Sequence, residues 1–365
     1  MALALALILI VVGAVIFHWL SPWWLTPIAS NWKAMDDAFM ITLVICAALF
    51  IILHLFVAYL VIRFRHREGH RAAPEAHNGK LEWWLITATS LGIVAMLAPG
   101  LRVYAQLIDP PADAAVFEVM GQQWQWHYRL PGKDGKLGST DVRFINASNP
   151  FGINPEDPLG QDDVLVDGQE IHVPLNQPVK VMLRAQDVLH DFYVPEFRTR
   201  MNMVPGLVTH FWLTPTRIGR YEVLCAQLCG VGHSNMRSAV VVEEPAAYAA
   251  WLDKQPTFSG QHAPGGIGGP AEPGKQGRLI AQAKGCVACH TVDGSPGVGP
   301  SWKGLFGKHE TLEGGATVTV DEAYLKQSIA DPKAAIVKGF PPVMPPTPLS
   351  DEETAALIDY IKTVR

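Results

Sequence analysis

The chain has 365 residues, of which 49% are hydrophobic and only 17% charged, and its net charge is −5; mean hydropathy is +0.15. That length points to two or three domains. So low a charged fraction without a basic surplus excludes a disordered chain and a nucleic-acid binder, and five cysteines are too few for a disulfide-dense secreted scaffold.

The apolar excess lies before residue 105, the mark of a membrane anchor joined to soluble domains. The first apolar run, Leu3 to Leu20, reads as a further span or as a signal peptide, although it lacks a basic n-region and a small-x-small cleavage site. Ala38 to Ile62 is an uncharged run of 25 residues and Trp83 to Leu101 one of 19, each long enough to cross a bilayer as a helix. Between them Arg63, Arg65, Arg67, Arg71 and Lys80, with His66, His70 and His77, form a short basic loop. Such loops stay cytoplasmic, so everything after Leu101 is expected outside. Trp23, Trp24, Trp83 and Trp84 fall near the expected interfaces, where amphipathic rings are favoured. His18 and His54 stand within apolar runs, as b-type haem ligands or as polar residues pairing with a neighbouring helix. Cys46 reads as a small packing residue.

From Ala115 to Val242 the pattern changes to short β-type runs separated by turn residues: Val116–Met120, Gln169–Pro174, Val179–Leu183, His210–Leu213, Tyr221–Leu224 and Ala239–Val242. That spacing predicts a sandwich or barrel. Pro256 to Gly274 is rich in Gly and Pro and reads as a linker. Beyond it, Ala323–Ala330 and Asp351–Val364 are helical within a Gly/Pro-looped segment, and no internal repeat is visible. The expected organisation is 1–32, signal peptide or extra helix; 33–109, helical anchor; 110–245, β domain; 246–275, linker; and 276–365, helical domain.

Within the β domain, Cys225-Ala-Gln-Leu-Cys229-Gly-Val-Gly-His233-Ser-Asn-Met236 has His190 standing upstream. Two thiols, two imidazoles and a thioether are a soft donor set suited to copper rather than to calcium or magnesium. A second thiolate allows two metals to be bridged, which spreads a redox change over both and suits electron transfer. A Cys225–Cys229 disulfide, a structural zinc site and ordinary core packing are the competing readings. In the last domain Cys286-Val-Ala-Cys289-His290 is the c-type haem attachment pattern. Both thiols would form thioethers, His290 would ligate iron, and Met344 in the Pro-rich Val343-Met344-Pro345-Pro346 would be the sixth ligand. A redox dithiol or half a zinc site are the alternatives there.

The stretch Cys225 to Met236 resembles the binuclear copper (CuA) motif of cytochrome c oxidase subunit II. So do Val188-Leu189-His190-Asp191-Phe192, Val204-Pro205-Gly206 and Gly121-Gln122-Gln123-Trp124-Gln125-Trp126. The resemblance implies a cupredoxin-like sandwich, a transmembrane helical hairpin (three helices if the first run is kept), and a copper site of His190, Cys225, Cys229, His233 and Met236. Gln227 would add its backbone carbonyl. It also implies that electrons enter at Trp124, whose plainer role is packing. The family usually has Glu where this chain has Gln227, and that Glu side chain helps hold a magnesium or manganese ion. A neutral amide is a weaker ligand for a hard cation, so the resemblance does not carry that second metal over.

Gly299-Pro300-Ser301-Trp302-Lys303-Gly304 and the terminal helix resemble all-α class I cytochromes c, and the fusion resembles the caa3-type subunit II. Leu81-Glu82-Trp83-Trp84 resembles the second-helix pattern, in which Glu82 would lie at the mouth of a proton-uptake path; a solvated helix-end carboxylate is the plainer alternative. The implied protein is a subunit of a multidomain, proton-pumping oxidase of the bacterial plasma membrane. Its metal domains would lie on the periplasmic side. Subunit I would reduce dioxygen, subunit III would be a further partner, and cytochrome c the donor. A CuA-containing nitric oxide reductase subunit and a free-standing membrane electron carrier are the alternatives.

Overall fold

The computed structural model describes residues 1–21, 26–69, 77–146, 148–167, 170–262 and 274–365. Trp23, Trp24, His70, Arg71, Gln169 and residues 263–273 of the expected linker lie outside the described residues. Two compact units emerge, 1–28 with 32–109, and 29–31 with 110–365.

The first unit holds three helices, α1 (Ala2–Leu20), α2 (Lys33–Arg63) and α3 (Gly79–Leu107), all long and apolar enough to cross a membrane. Their large apolar side chains, among them Leu9, Phe17, Leu53, Phe56 and Leu91, are exposed, which is stable only against lipid or other apolar surface. Asn78 caps α3 by accepting the Leu81 N–H. His18 meets Trp19 edge-on; His54 donates Nδ1–H to the Phe50 carbonyl at 2.8 Å and packs at a tilt against the Phe50 ring. Cys46 Sγ lies 3.9 Å from Met96 Sδ.

The second unit begins with a ten-stranded sandwich: β1 (Ala115–Gln122), β2 (Gln125–Leu130), β3 (Val164–Asp167), β4 (Glu170–Pro174), β5 (Val179–Ala185), β6 (His190–Val194), β7 (Thr199–Met203), β8 (Thr209–Leu213), β9 (Gly219–Cys225) and β10 (Arg237–Glu243). The sheets run β3-β2-β1-β5-β8 and β4-β10-β9-β6-β7. Alternation explains the pairing: along β5, Val179, Val181, Leu183 and Ala185 turn inward while Lys180, Met182 and Arg184 turn out. Val119, Leu183 and Phe211 from one sheet and Ile171, Val194, Met203 and Val223 from the other are fully buried. Trp126 meets Phe192 edge-on across the interior. The six runs expected from the sequence fall in β1, β4, β5, β8, β9 and β10. β2, β3, β6 and β7 are further strands.

The outer face of β1 is also buried, because residues 131–146 and 148–163 fold over it. Arg129, Glu118 and Asp163 are each at most 1% exposed. Arg129 bonds to the Asp163 carboxylate, to Glu118 Oε2 at 3.1 Å and to the Gly138 carbonyl; Arg184 pairs with the other Glu118 oxygen. Burial pushes Asp163 up to about 6 against the pull of Arg129.

The segment expected as linker starts with two helices, α4 (Pro245–Leu252) and α5 (Phe258–His262). Trp251 of α4 stacks on His172 of β4. Phe258 enters a cluster with Met120, Phe151, Ile153 and Leu165, so the sandwich extends to residue 262.

The C-terminal part contains α6 (Lys275–Ala283), a small hairpin of β11 (His309–Thr311) and β12 (Thr317–Thr319), α7 (Glu322–Ala330) and α8 (Asp351–Thr363). Ser350 and Glu353 form a reciprocal capping box at the start of α8. α6 crosses α8 at Gly277, where a Cβ would stand 1.9 Å from the Ala356 carbonyl oxygen. Trp302, Tyr324, Leu325, Leu357 and Ile361 lie in the core these elements enclose.

Arg129→Met leaves buried Asp163 without its cation and Glu118 with Arg184 alone, and removing one partner of a buried network costs about 3–5 kcal/mol. The expected result is a markedly lower urea midpoint for the purified chain; an unchanged midpoint would show that the network is dispensable.

Candidate copper and haem sites

The β6–β9 pairing sets Phe192 opposite Cys225, and so delivers His190, at the head of β6, to the end of β9. There the chain turns through Cys225 to Cys229, bringing the two sulfurs to 3.7 Å. Both are free thiols, so they are not a disulfide. His190 Nδ1 lies 3.9 Å from Cys225 Sγ, His233 Nδ1 3.6 Å from Cys229 Sγ, and Met236 Sδ 3.9 Å from Cys229 Sγ. The Gln227 carbonyl is 3.2 Å from Cys225 Sγ. Every residue expected at the copper site converges on this point, and His190, Cys225 and Cys229 are all buried with their donor atoms within 4.8 Å of one another.

The electrostatics suit a soft metal. The hydrogen bond from Cys229 holds the Cys225 thiol far below its ordinary range, while that same bond and burial push Cys229 up. Metal binding at thiols requires their deprotonation, so a cation held there would take the place of the thiol protons. Met236, 1% exposed, adds a thioether that copper favours and zinc has little use for. The donor set therefore fits a binuclear copper centre.

Sequence reading missed Asp187. Its Oδ1 accepts His190 Nε2–H at 2.8 Å, and its Oδ2 accepts the Gln123 N–H at 2.7 Å. Burial, the largest single influence, disfavours protonating His190, yet the hydrogen bonds and charges of Asp187 and Cys225 together outweigh it and the net shift is upward. With the proton fixed on Nε2, Nδ1 is the atom left facing the sulfurs. Only its position three residues before His190 could have signalled this role.

Trp124 is 9% exposed. Its Nε1–H donates to the Cys229 carbonyl at 3.0 Å, and Gln123 Nε2 donates to the same oxygen at 2.7 Å. The indole lies on the ligand loop, where a Cβ on Gly232 would stand 2.4 Å from Trp124 Cδ2.

The other expected site is a cavity walled by Cys286, Cys289, His290 and Met344, with Trp302, Tyr324, Leu325, Ile329 and Leu357 among its apolar lining; Trp124 also lines it. A mostly apolar lining with a few convergent donor groups is what a cofactor pocket needs. His290 donates Nδ1–H to the Pro300 carbonyl at 2.8 Å and stacks on Trp302, which leaves Nε2 as the free ligand atom. Burial lowers the His290 pKa, favouring the neutral imidazole that binds iron. Burial raises both thiols, Cys286 to about 11, so neither is an activated redox dithiol. These residues fit a covalently attached haem c.

Glu82 lies in the first turn of α3, half exposed and 2.9 Å from His77 Nδ1.

Comparison with known proteins agrees with this geometry. Residues 115–244 match the family "Cytochrome C oxidase subunit II, periplasmic domain", and residues 274–365 match "Cytochrome c". The alternative cytochrome c oxidase subunit 2 of Bradyrhizobium diazoefficiens is 56% identical over 260 residues, covering 71% of this chain and 94% of that protein. The chain belongs to the cytochrome c oxidase subunit II family. Cytochrome c oxidase subunit 2 of Alkalihalophilus pseudofirmus is 24% identical over 339 residues, 90% of this chain and 86% of that one. The protein of the same name from Cereibacter sphaeroides is 30% identical over 241 residues, 63% and 77%. This subunit II is thus a multidomain membrane protein with three apolar helices, a cupredoxin-like sandwich and a fused cytochrome c domain.

Asp187→Ala frees the His190 ring, and loss of such an outer partner lowers metal affinity about 10–100-fold. A competitive copper titration is expected to show that drop with haem content unchanged; parent-like affinity would exclude the role.

Proposed function

We propose that the chain is the electron-receiving subunit II of a caa3-type haem-copper oxidase of the bacterial plasma membrane. It would take electrons from cytochrome c and deliver them to subunit I, where dioxygen is reduced to water with proton pumping; subunit III is a further expected partner. The observation that carries the reading is the convergence of Cys225, Cys229, His190, His233 and Met236 on one buried point. The same chain also holds a cavity walled by Cys286, Cys289, His290 and Met344. When bound, the copper pair and the haem supply one-electron redox chemistry.

The residues' parts follow from their contacts. Cys225, Cys229, His190, His233 and Met236, with the Gln227 carbonyl, would hold the copper pair. Asp187 keeps a proton on His190 Nε2, and the Pro300 carbonyl fixes one on His290 Nδ1. Trp124 would be where electrons enter the copper domain, its indole N–H tied to the Cys229 carbonyl. Arg65 and Arg67 between α2 and α3, with Arg63 ending α2 and Lys80 in the first turn of α3, favour a cytoplasmic loop, so the metal domains would face the periplasm. Glu82 would then stand at the cytoplasmic edge, positioned to take up protons with His77 beside it.

The electron paramagnetic resonance spectrum of the oxidised, copper-loaded protein tests the centre. A seven-line hyperfine pattern is expected, and a four-line pattern would mean a single localised copper and the carrier reading instead. Co-purification with a large haem-bearing subunit, active on dioxygen rather than nitric oxide, is expected as well. Glu82→Ala should slow dioxygen turnover while copper and haem contents hold; undiminished turnover would remove Glu82 from the path.

A further inference from the structure

The β11–β12 hairpin breaks the ordinary rule for what a strand turns inward. Along β11, His309 and Thr311 are exposed and only Glu310 is drawn in. Its neighbours on that side, Leu312, Val318 and Val320, belong to or pack against the apolar core of the C-terminal part. Val318 is paired directly across from Glu310. A strand position facing such a core ordinarily takes an aliphatic side chain. Glu310 instead brings a carboxylate, 15% exposed, to the wall of the cavity that holds Cys286, Cys289, His290 and Met344. Burying a charge is costly unless it is paired, and Lys308, two residues earlier, supplies the pair at 2.7 Å.

The pair is lopsided. Lys308 is 58% exposed, so water and salt screen its charge, whereas the Glu310 carboxylate borders a low-dielectric interior. Inside the cavity the negative charge is therefore the one that is felt. Among the described residues, the other Asp, Glu, Lys or Arg of the cavity wall is Lys284. It lies 3.6 Å from Glu353, and the two side chains are 33% and 34% exposed. Water screens both alike, and their charges largely cancel. An oxidised haem carries one more positive charge than a reduced one, and a haem potential responds to the charge and dielectric around it. A buried anion in the wall thus favours the oxidised form.

We propose that Glu310 sets the reduction potential of the haem site, its buried carboxylate holding the potential down and making the haem a readier electron donor. Lys308 is a positioning residue that keeps the carboxylate in place. The couple moves one electron and no proton, because Glu310 keeps its charge in both oxidation states. The inference rests on the proposed haem occupancy of the cavity.

The test is a spectroelectrochemical titration of the intact, haem- and copper-loaded complex. The alkaline pyridine spectrum of the parent reports covalent haem, and its absence would defeat the haem reading before any potential is measured. With haem present, Glu310→Gln is expected to raise the haem midpoint by about 59 mV, a tenfold shift in a one-electron equilibrium. A midpoint equal to the parent's would overturn the proposal. Glu310→Asp separates charge from shape: it is expected to stay nearer the parent than Glu310→Gln does. The reverse order would mean that the side chain only fills space. Should Glu310→Gln fail to retain haem, Lys308→Met decides at pH 9, where the carboxylate stays ionised. Its midpoint is expected to fall below the parent's, and a rise or no change would refute the role of Glu310.

Discussion

Two buried sulfur atoms 3.7 Å apart are the feature around which the outward-facing unit is arranged. Thiols so close resist ionising together, and their mutual hydrogen bond lowers Cys225 while it raises Cys229. The rest of the sandwich serves to hold that pair. β9 ends at Cys225, β6 runs beside it to bring up His190, and the loop returns through His233 and Met236 into β10. A site built on strand ends has its donors fixed by packing before a metal arrives, so little has to move when charge changes.

The two sites solve the orientation of histidine in different ways. His190 gives its Nε2–H to the Asp187 carboxylate and turns Nδ1 inward. His290 gives its Nδ1–H to the Pro300 carbonyl and keeps Nε2 for the cavity. A carboxylate partner favours the protonated ring, whereas a neutral carbonyl in a buried pocket leaves the ring neutral. Because Asp187 also holds the Gln123 N–H, the copper-side imidazole is tied to the turn that joins β1 to β2.

The apolar composition has two separate destinations. Exposed Leu, Phe and Trp along α1–α3 need lipid or a partner, while the sandwich buries its apolar side chains on both faces of β1 and β2. Burying the outer face traps Glu118, Arg129 and Asp163, and only their mutual pairing makes that tolerable. Phe258 closes the same face from a segment whose Gly and Pro content reads as linker. A single aromatic side chain outweighs that local composition once a sheet face is waiting to be covered.

The donor sets, the attachment motif and the membrane runs were legible because their members are close along the chain. Cys225, Cys229, His233 and Met236 fall within twelve residues, and Cys286, Cys289 and His290 within five, so covalent spacing already confines them. Six strands were legible from their alternation or their β-branched and aromatic content. β2 and β6 were harder, since Trp126, His127, Arg129, His190 and Asp191 interrupt the apolar pattern, and those polar side chains are buried all the same. The tertiary structure alone decided that Asp187 orients His190, that Arg129 meets Asp163, and that Glu310 walls the haem cavity. These partners belong to different elements or loops, and their meeting depends on sheet register and packing. Local sequence fixes which donors a segment can offer; only the folded chain fixes what lies against them.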